Sequence, residues 1–153
     1  MIKSKEEAQL MVDYTFYPPI GKRGVGLSRA QNYGVGFEDY QKKLKNDIVL
    51  IAQIEHIDAI NNLHEILSIE EIDATLIGPY DLSASMNKPG EYELPEVKEA
   101  IAKYDKICDE LKKPKGAHVI QSNASFTQQK IDLGYSFLAF SLDFFFLGDK
   151  VRE

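Results

Sequence analysis

Four short apolar runs constrain this chain more than any other feature: residues 48–54 (IVLIAQI), 72–77 (IDATLI), 117–120 (AHVI) and 136–142 (SFLAFSL). Between them lie helix-length stretches. Residues 57–67 place Ile60, Leu63 and Leu67 on one side, residues 95–112 open on Pro95, and residues 125–133 stop at Gly134. Continuous apolar runs read as strands buried on both faces, and their alternation with helices predicts a parallel sheet. A helix precedes this pattern. Ser4-Lys5-Glu6-Glu7 is a capping box, Ala8, Leu10, Met11 and Tyr14 give a helical stripe, and Tyr17-Pro18-Pro19 ends it. A glycine-punctuated loop follows over residues 21–36, then a short polar helix over 37–45. A last segment, 144–151, finishes the chain.

Four strand-helix units are half of a (β/α)₈ barrel. The other arrangement is a small, open, doubly wound sheet, which would need an opening strand and a G-x-G-x-x-G turn. Gly21 to Gly26 does not follow a strand, so no dinucleotide fingerprint is read there. Gly24 and Gly26 are expected instead to serve a tight loop approaching another backbone or a ligand.

Two of the apolar runs stop at carboxylates. The first ends at Glu55, and the second breaks at Gly78-Pro79-Tyr80-Asp81. Parallel neighbours lie about 4.8 Å apart, and α/β proteins bind ligands at the C-terminal edge of the sheet. Two hard oxygen donors with no thiolate and few imidazoles nearby suit Mg²⁺ or Mn²⁺. The alternative is that one or both acids cap the helices that follow them.

At 153 residues the chain fits one domain, and a chain of that size buries about 70% of its unfolded surface. A formal net charge of −6 argues against nonspecific nucleic-acid binding. The densest basic stretch, Lys112-Lys113-Pro114-Lys115, is read as complementing a helix C-terminus. The single cysteine, Cys108, excludes an intrachain disulfide and reads as a buried small hydrophobe. No apolar run reaches membrane-spanning length, and the N-terminus is charged from its third residue, so a cytoplasmic protein without membrane partners is expected.

The motifs Tyr17-Pro18-Pro19, Gly21-Lys22-Arg23-Gly24-Val25-Gly26, Arg29-Ala30, Tyr33-Gly34, Gln53-Ile54-Glu55 and Gly78-Pro79-Tyr80-Asp81-Leu82-Ser83 occur in an order and spacing that resembles the HpcH/HpaI aldolase family. Ser85-Met86, Gly90, Pro95, Gly134 and Asp143 continue the likeness along the chain. The resemblance implies an α/β fold, a partial (β/α)₈ TIM barrel of about four parallel strands. The whole of residues 1–153 would form one C-terminal half-barrel domain of a class II, metal-dependent pyruvate aldolase. It also implies roles: Glu55 and Asp81 as metal ligands, Gln53 as a contact to the bound keto acid, and the backbone N–H groups around Tyr80 and Asp81 as donors to the pyruvate carboxylate. A divalent cation, Mg²⁺ or Mn²⁺, would stabilise the enolate formed when the aldol bond breaks. Arg23 and Arg29 belong to the loop motif and are expected to anchor it.

The chain also departs from the family. Family members carry preceding residues with the first barrel strands, the histidine associated with the catalytic base and the arginine that stabilises the oxyanion. Neither has a counterpart here. Tyr80 stands where the family often has a small residue, which would narrow the pocket. Among His56, His64 and His118, only His118 is placed to serve a pocket, and a hydrogen-bonded strand histidine is its default role. Ser83 and Ser85 have no adjacent base, so a nucleophilic triad is unsupported.

Three functions remain open. The chain is the metal-binding part of an aldolase cleaving 4-hydroxy-2-oxo acids to pyruvate and an aldehyde, completed by a chain carrying the missing strands. It is a noncatalytic, self-associating protein that binds a keto acid and a cation. Or it is a decayed product retaining motifs only. Open sheet edges make a partner expected, either a second copy or a complementing half-barrel.

Overall fold

The computed structural model describes residues 1–121 and 123–153. Their sheet holds four strands in the order β1-β2-β3-β4, every neighbouring pair parallel: β1 Ile51–Ile54, β2 Ala74–Ile77, β3 Lys115–Val119 and β4 Tyr135–Phe140. Consecutive strands are spatial neighbours, as barrel winding requires, whereas a doubly wound sheet reverses its strand order. Helices α3 (Ile57–Asn61) and α4 (Leu63–Leu67) link β1 to β2. Helices α5 (Pro79–Ser85) and α6 (Pro95–Glu110) link β2 to β3, and α7 (Ala124–Asp132) links β3 to β4. Before the sheet come α1 (Lys5–Thr15) and α2 (Phe37–Asp47), and α8 (Asp143–Arg152) follows it. Among the described residues no helix is long and apolar enough to cross a membrane.

The two faces of the sheet differ. Ala52, Ile54, Thr75, Ile77 and Ala117 are all buried, and Thr75 Oγ1 meets the Tyr104 hydroxyl of α6 at 2.7 Å, which marks this as the helix-covered face. Side chains alternate along strands, so Ile51, Gln53, Leu76 and His118 lie on the other face, where they are half-buried or exposed. A bulge between Lys115 and Gly116 shifts the β3–β4 register and puts Phe137 opposite Gly116 on this uncovered face. A Cβ at Gly116 would lie 2.6 Å from the Phe137 ring. In a closed barrel this side is filled by layers of side chains from all eight strands.

Several expectations need correction. The first strand is shorter than residues 48–54, because the Asp73 carboxylate accepts from the Leu50 N–H at 2.7 Å and takes that N–H from the ladder. Ile72 is buried but sits in a turn, its N–H donating to Ile69. The expected helix 57–67 breaks at Asn62 (φ −99°, ψ 10°), although Ile60, Leu63 and Leu67 are buried as read. In α1 the buried residues are Ala8, Val12 and Asp13, whereas Leu10 and Tyr14 face solvent. The basic stretch lies beyond the last turn of α6 rather than within it, and Lys115 opens β3 as a buried residue. Open space surrounds both Gly24 and Gly26, so neither approaches another backbone. The tight position is Gly21, where a Cβ would lie 2.4 Å from the Phe16 carbonyl oxygen. A 3-10 turn at Arg29–Gly34 interrupts the expected loop 21–36, and helix α5 follows directly on Gly78, where the sequence shows only a break in the apolar run.

Candidate functional site

Glu55 is the residue after β1, buried at the C-terminal edge of the sheet. The Ile54–Ile77 pairing sets it beside Gly78, the residue after β2. A side chain at 78 would put its Cβ 2.6 Å from Glu55 Oε2 and 2.9 Å from Glu55 Cβ. Glycine is therefore what makes room for this carboxylate. Gln53, two residues earlier on the same face, donates its Nε2–H to Glu55 Oε2 at 2.8 Å. One carboxylate oxygen is thus held by the amide, while Oε1 has no hydrogen-bond partner among the described residues.

Asp81 comes three residues after Gly78, in the first turn of α5. Pro79 at the helix start has the backbone angle a first turn needs and no N–H to leave unpaired. The N–H groups of Tyr80 and Asp81 belong to that first turn, where no intrahelical acceptor exists. Ile54 and Leu82 tie the ends of this strand-to-helix turn, through Gly78 N–H to the Ile54 carbonyl (3.1 Å) and Leu82 N–H to the Gly78 carbonyl (2.9 Å). The two serines of the motif are structural. Ser83 Oγ donates to the Tyr80 carbonyl at 2.7 Å and accepts from Gly90 N–H at 3.0 Å. Ser85 Oγ donates to Leu82 and accepts from Ile57 N–H at 2.9 Å, binding the start of α3 to α5.

Each histidine has a local occupation. His56 is the N-cap of α3, its Nδ1 accepting from Asp58 N–H at 3.1 Å, and His64 lies 3.9 Å from Glu110. His118 shares the uncovered face with Gly116, yet its Nε2 faces the Ser141 carbonyl at 3.3 Å, the default role read for it. Arg23 anchors the loop as expected. It donates to Tyr40 Oη at 3.2 Å, and its guanidinium lies 4.9 Å from the Tyr17 ring centroid. Arg29 is exposed and has no such anchor among the described residues. Cys108 lies on the buried side of α6, and burial pushes its thiol pKa up, so it is inert as read.

The donor set suits a small hard cation. Among the described residues no group of three or more His, Cys, Asp and Glu side chains is arranged to hold a metal ion. Mg²⁺-like ions need fewer. They keep several waters and bind through one or two carboxylates together with substrate oxygens. Glu55 offers one such carboxylate, its Oε1 unpartnered among the described residues over a side-chain-free glycine, and Asp81 lies in the first turn of the helix that leaves the neighbouring strand. Gln53, Glu55 and Asp81 are the residues the sequence points to at this rim; Gly78 stands there only as part of the motif, and its role beside Glu55 is visible only in the structure.

A family model described as HpcH/HpaI aldolase/citrate lyase matches residues 1–143. A 4-hydroxy-2-oxo-heptane-1,7-dioate aldolase of Klebsiella pneumoniae is 36% identical over 145 residues, covering 94% of this chain and 54% of the relative. Among solved structures, an HpcH/HpaI aldolase/citrate lyase family protein from Burkholderia cenocepacia superposes with a TM-score of 0.90 at 25% identity, covering 99% of this chain and 60% of the other. An HpcH/HpaI aldolase from Desulfitobacterium hafniense gives 0.83 at 27% identity, covering 99% and 58%. The chain spans about half the length of the curated relatives it matches.

Proposed function

This chain belongs to the HpcH/HpaI aldolase/citrate lyase family, and from that premise we propose that it supplies the cation- and keto-acid-binding side of a pyruvate aldolase site. The substrate class is the 4-hydroxy-2-oxo acids, cleaved to pyruvate and an aldehyde. The observation that carries this reading is the buried Glu55 carboxylate seated over Gly78, beside the helix turn that bears Asp81. Glu55 and Asp81 would hold a Mg²⁺ or Mn²⁺ ion, which when bound supplies positive charge against the negative charge developing on the keto oxygen. Gln53 orients Glu55 and presents its amide to the keto acid. The Tyr80 and Asp81 N–H groups receive the carboxylate of the keto acid and fix its orientation, in the manner of donors aimed at a site of negative charge.

Proton transfer is a separate matter. None of His56, His64 and His118 is free at this rim, so cleavage needs a base and an oxyanion donor from further barrel strands, whether joined to this chain or separate. The occupations of those histidines equally favour a second reading, a noncatalytic protein that binds cation and keto acid, or an assembly protein retaining the half-barrel. A homo-oligomer or a complementing half-barrel chain is the proposed partner, since among the described residues no strand covers the β4 edge and the β1 edge meets only Ile2, whose N–H donates to the Gln53 carbonyl. Cytoplasmic residence is part of the same proposal.

The test is a chimera. The part of the Klebsiella relative that lies outside its match to this chain is joined to the chain. The product is assayed for pyruvate release from a 4-hydroxy-2-oxo acid with Mn²⁺. Turnover by the chimera and none by this chain alone is expected. A folded chimera that binds Mn²⁺ and pyruvate without turnover would establish the noncatalytic reading instead.

A further inference from the structure

The end of the sheet away from Glu55 carries two cations on one ring. Tyr135 opens β4 and is 3% exposed. Lys115 Nζ lies 5.2 Å from its ring centroid and Lys130 Nζ 4.8 Å. Their surroundings differ. Lys115 is closed in by Asp105, Asp109 and the Leu133 carbonyl. Lys130 is half-buried in the last turn of α7, and among the described residues no carboxylate lies within ion-pair distance of it and no acceptor receives its Nζ–H.

The groups that ordinarily serve a lysine in such a place are spent. A cation in the last turn of a helix usually meets the free carbonyls there. Here the Gln129 and Ile131 carbonyls accept from Leu133 N–H at 3.1 Å and Gly134 N–H at 2.8 Å, and the Leu133 carbonyl is taken by Lys115. The acid of the same helix, Asp132, accepts from Gln128 Nε2 at 2.8 Å. On α6, Asp105 and Asp109 both close on Lys115, while Tyr104 and Cys108 meet Thr75 Oγ1. Lys130 therefore shares a ring with a fixed like charge and has no counter-charge of its own. A half-buried amine beside a second ammonium gives up its proton more readily than an exposed one. Burial is the main cause that lowers the Lys130 pKa; Asp105 opposes it and Lys115 adds to it.

We propose that Lys130 is a modification site, an activated amine that takes the acyl group of a small acyl phosphate and is kept reactive by the fixed Lys115 ammonium on the shared Tyr135 ring. The proposal is independent of the aldolase reading. The unprotonated Nζ attacks the acyl carbon, and the C–O bond to phosphate breaks. Phosphate leaves with the bonding pair, and the amine's proton passes to water, leaving an amide. An acyl phosphate suits the place because it is compact enough for a half-buried amine and carries its own leaving group, so no further protein group is needed. The amide is neutral, so acylation ends the like-charge contact and leaves Lys115 as the cation on the ring.

The unaltered chain is treated with acetyl phosphate at mildly alkaline pH, and acetylation of each lysine is followed in time by residue-resolved mass spectrometry. Lys130 is expected to react about threefold or more faster than Lys42 and Lys43, which are exposed on α2. The preference disappears in urea, where the fold no longer sets the surroundings. Lys115→Met, measured in its folded state, brings Lys130 down to the rate of Lys42 and Lys43, because Asp105 then has no other cation and holds the Lys130 proton. A Lys130 rate equal to or below that of Lys42 and Lys43 in the unaltered chain overturns the proposal. So does a preference that persists in urea, which would belong to the local sequence, or one that Lys115→Met leaves unchanged.

Discussion

The same sheet carries a charged cluster at each end, and the two are built on opposite rules. At the N-terminal end, Lys115 is 3% exposed and every direction around its ammonium is taken. Asp109 lies at 2.9 Å, Asp105 at 3.3 Å, the Leu133 carbonyl at 3.0 Å, and the Tyr135 ring centroid at 5.2 Å. Burial opposes that charge, but the two aspartates outweigh it and hold the ammonium above its ordinary pKa. At the C-terminal end, Glu55 is also buried, yet only one of its oxygens is occupied, by Gln53, and the space beside it exists because residue 78 has no side chain. An ammonium with its counter-charges in place holds a fold together, even though Asp105 Oδ1 and the Tyr135 hydroxyl beside it lack hydrogen-bond partners among the described residues, whereas a carboxylate with a spare oxygen and a cleared space is prepared for something that arrives later. In barrels the first kind belongs at the N-terminal face and the second at the C-terminal face.

Three substitutions sharpen or break that contrast. Lys115→Met has the largest expected effect. It leaves Asp105 partly buried without its cation and should lower stability by about 3 kcal/mol in urea unfolding, with Mn²⁺ affinity unchanged. A fall in Mn²⁺ affinity in the folded variant would mean that the two ends are coupled. The pH dependence follows in sign. Because the folded pKa of Lys115 is raised, its contribution is complete below the unfolded value of about 10.4 and is lost as pH climbs through the folded value. Alkaline unfolding should therefore come earlier in Lys115→Met only up to that range and converge with the unaltered chain above it.

Gly78→Ala acts at the other end. Its Cβ would collide with Glu55 Oε2, so the carboxylate must swing off Gln53. Mn²⁺ affinity should fall about tenfold, equivalent to about 1.4 kcal/mol, with a smaller change in stability. Equal Mn²⁺ affinity in Gly78→Ala and the unaltered chain would show that the cleared space is incidental. The smallest effect is expected of Ser85→Ala, which frees the Ile57 N–H and should cost about 1 kcal/mol of stability while leaving cation binding alone. A serine acting in chemistry rather than in scaffolding would give the reverse pattern.

Legibility followed the same divide. The four strands could be read because buried parallel strands are continuous apolar runs, and Glu55 and Asp81 could be placed because a carboxylate ending such a run falls at the sheet's rim. Their boundaries could not. The Asp73 carboxylate takes the Leu50 N–H, while the Leu50 carbonyl still accepts from the Asp73 N–H, through contacts between residues 23 apart that no local pattern encodes. Helix α5 is legible only as an alternative, because Gly-Pro-Tyr-Asp carries turn chemistry while Pro at the first position and Asp in the first turn are equally helix-start signals. Lys115 reads as a solvated helix-end cation because nothing in its neighbours announces that Asp105 and Asp109, one turn apart near the end of α6, close over the ammonium. The role of Gly78 is not legible in the sequence because the function of a glycine here is the volume it does not fill.

Calorimetric titration of Mn²⁺ into this chain, Glu55→Ala and Asp81→Ala is the most direct measurement of the prepared end of the sheet. One site in the unaltered chain, lost in both variants, is the predicted result. Equal affinity in all three proteins would contradict it, because the two acids would then have no part in holding a cation.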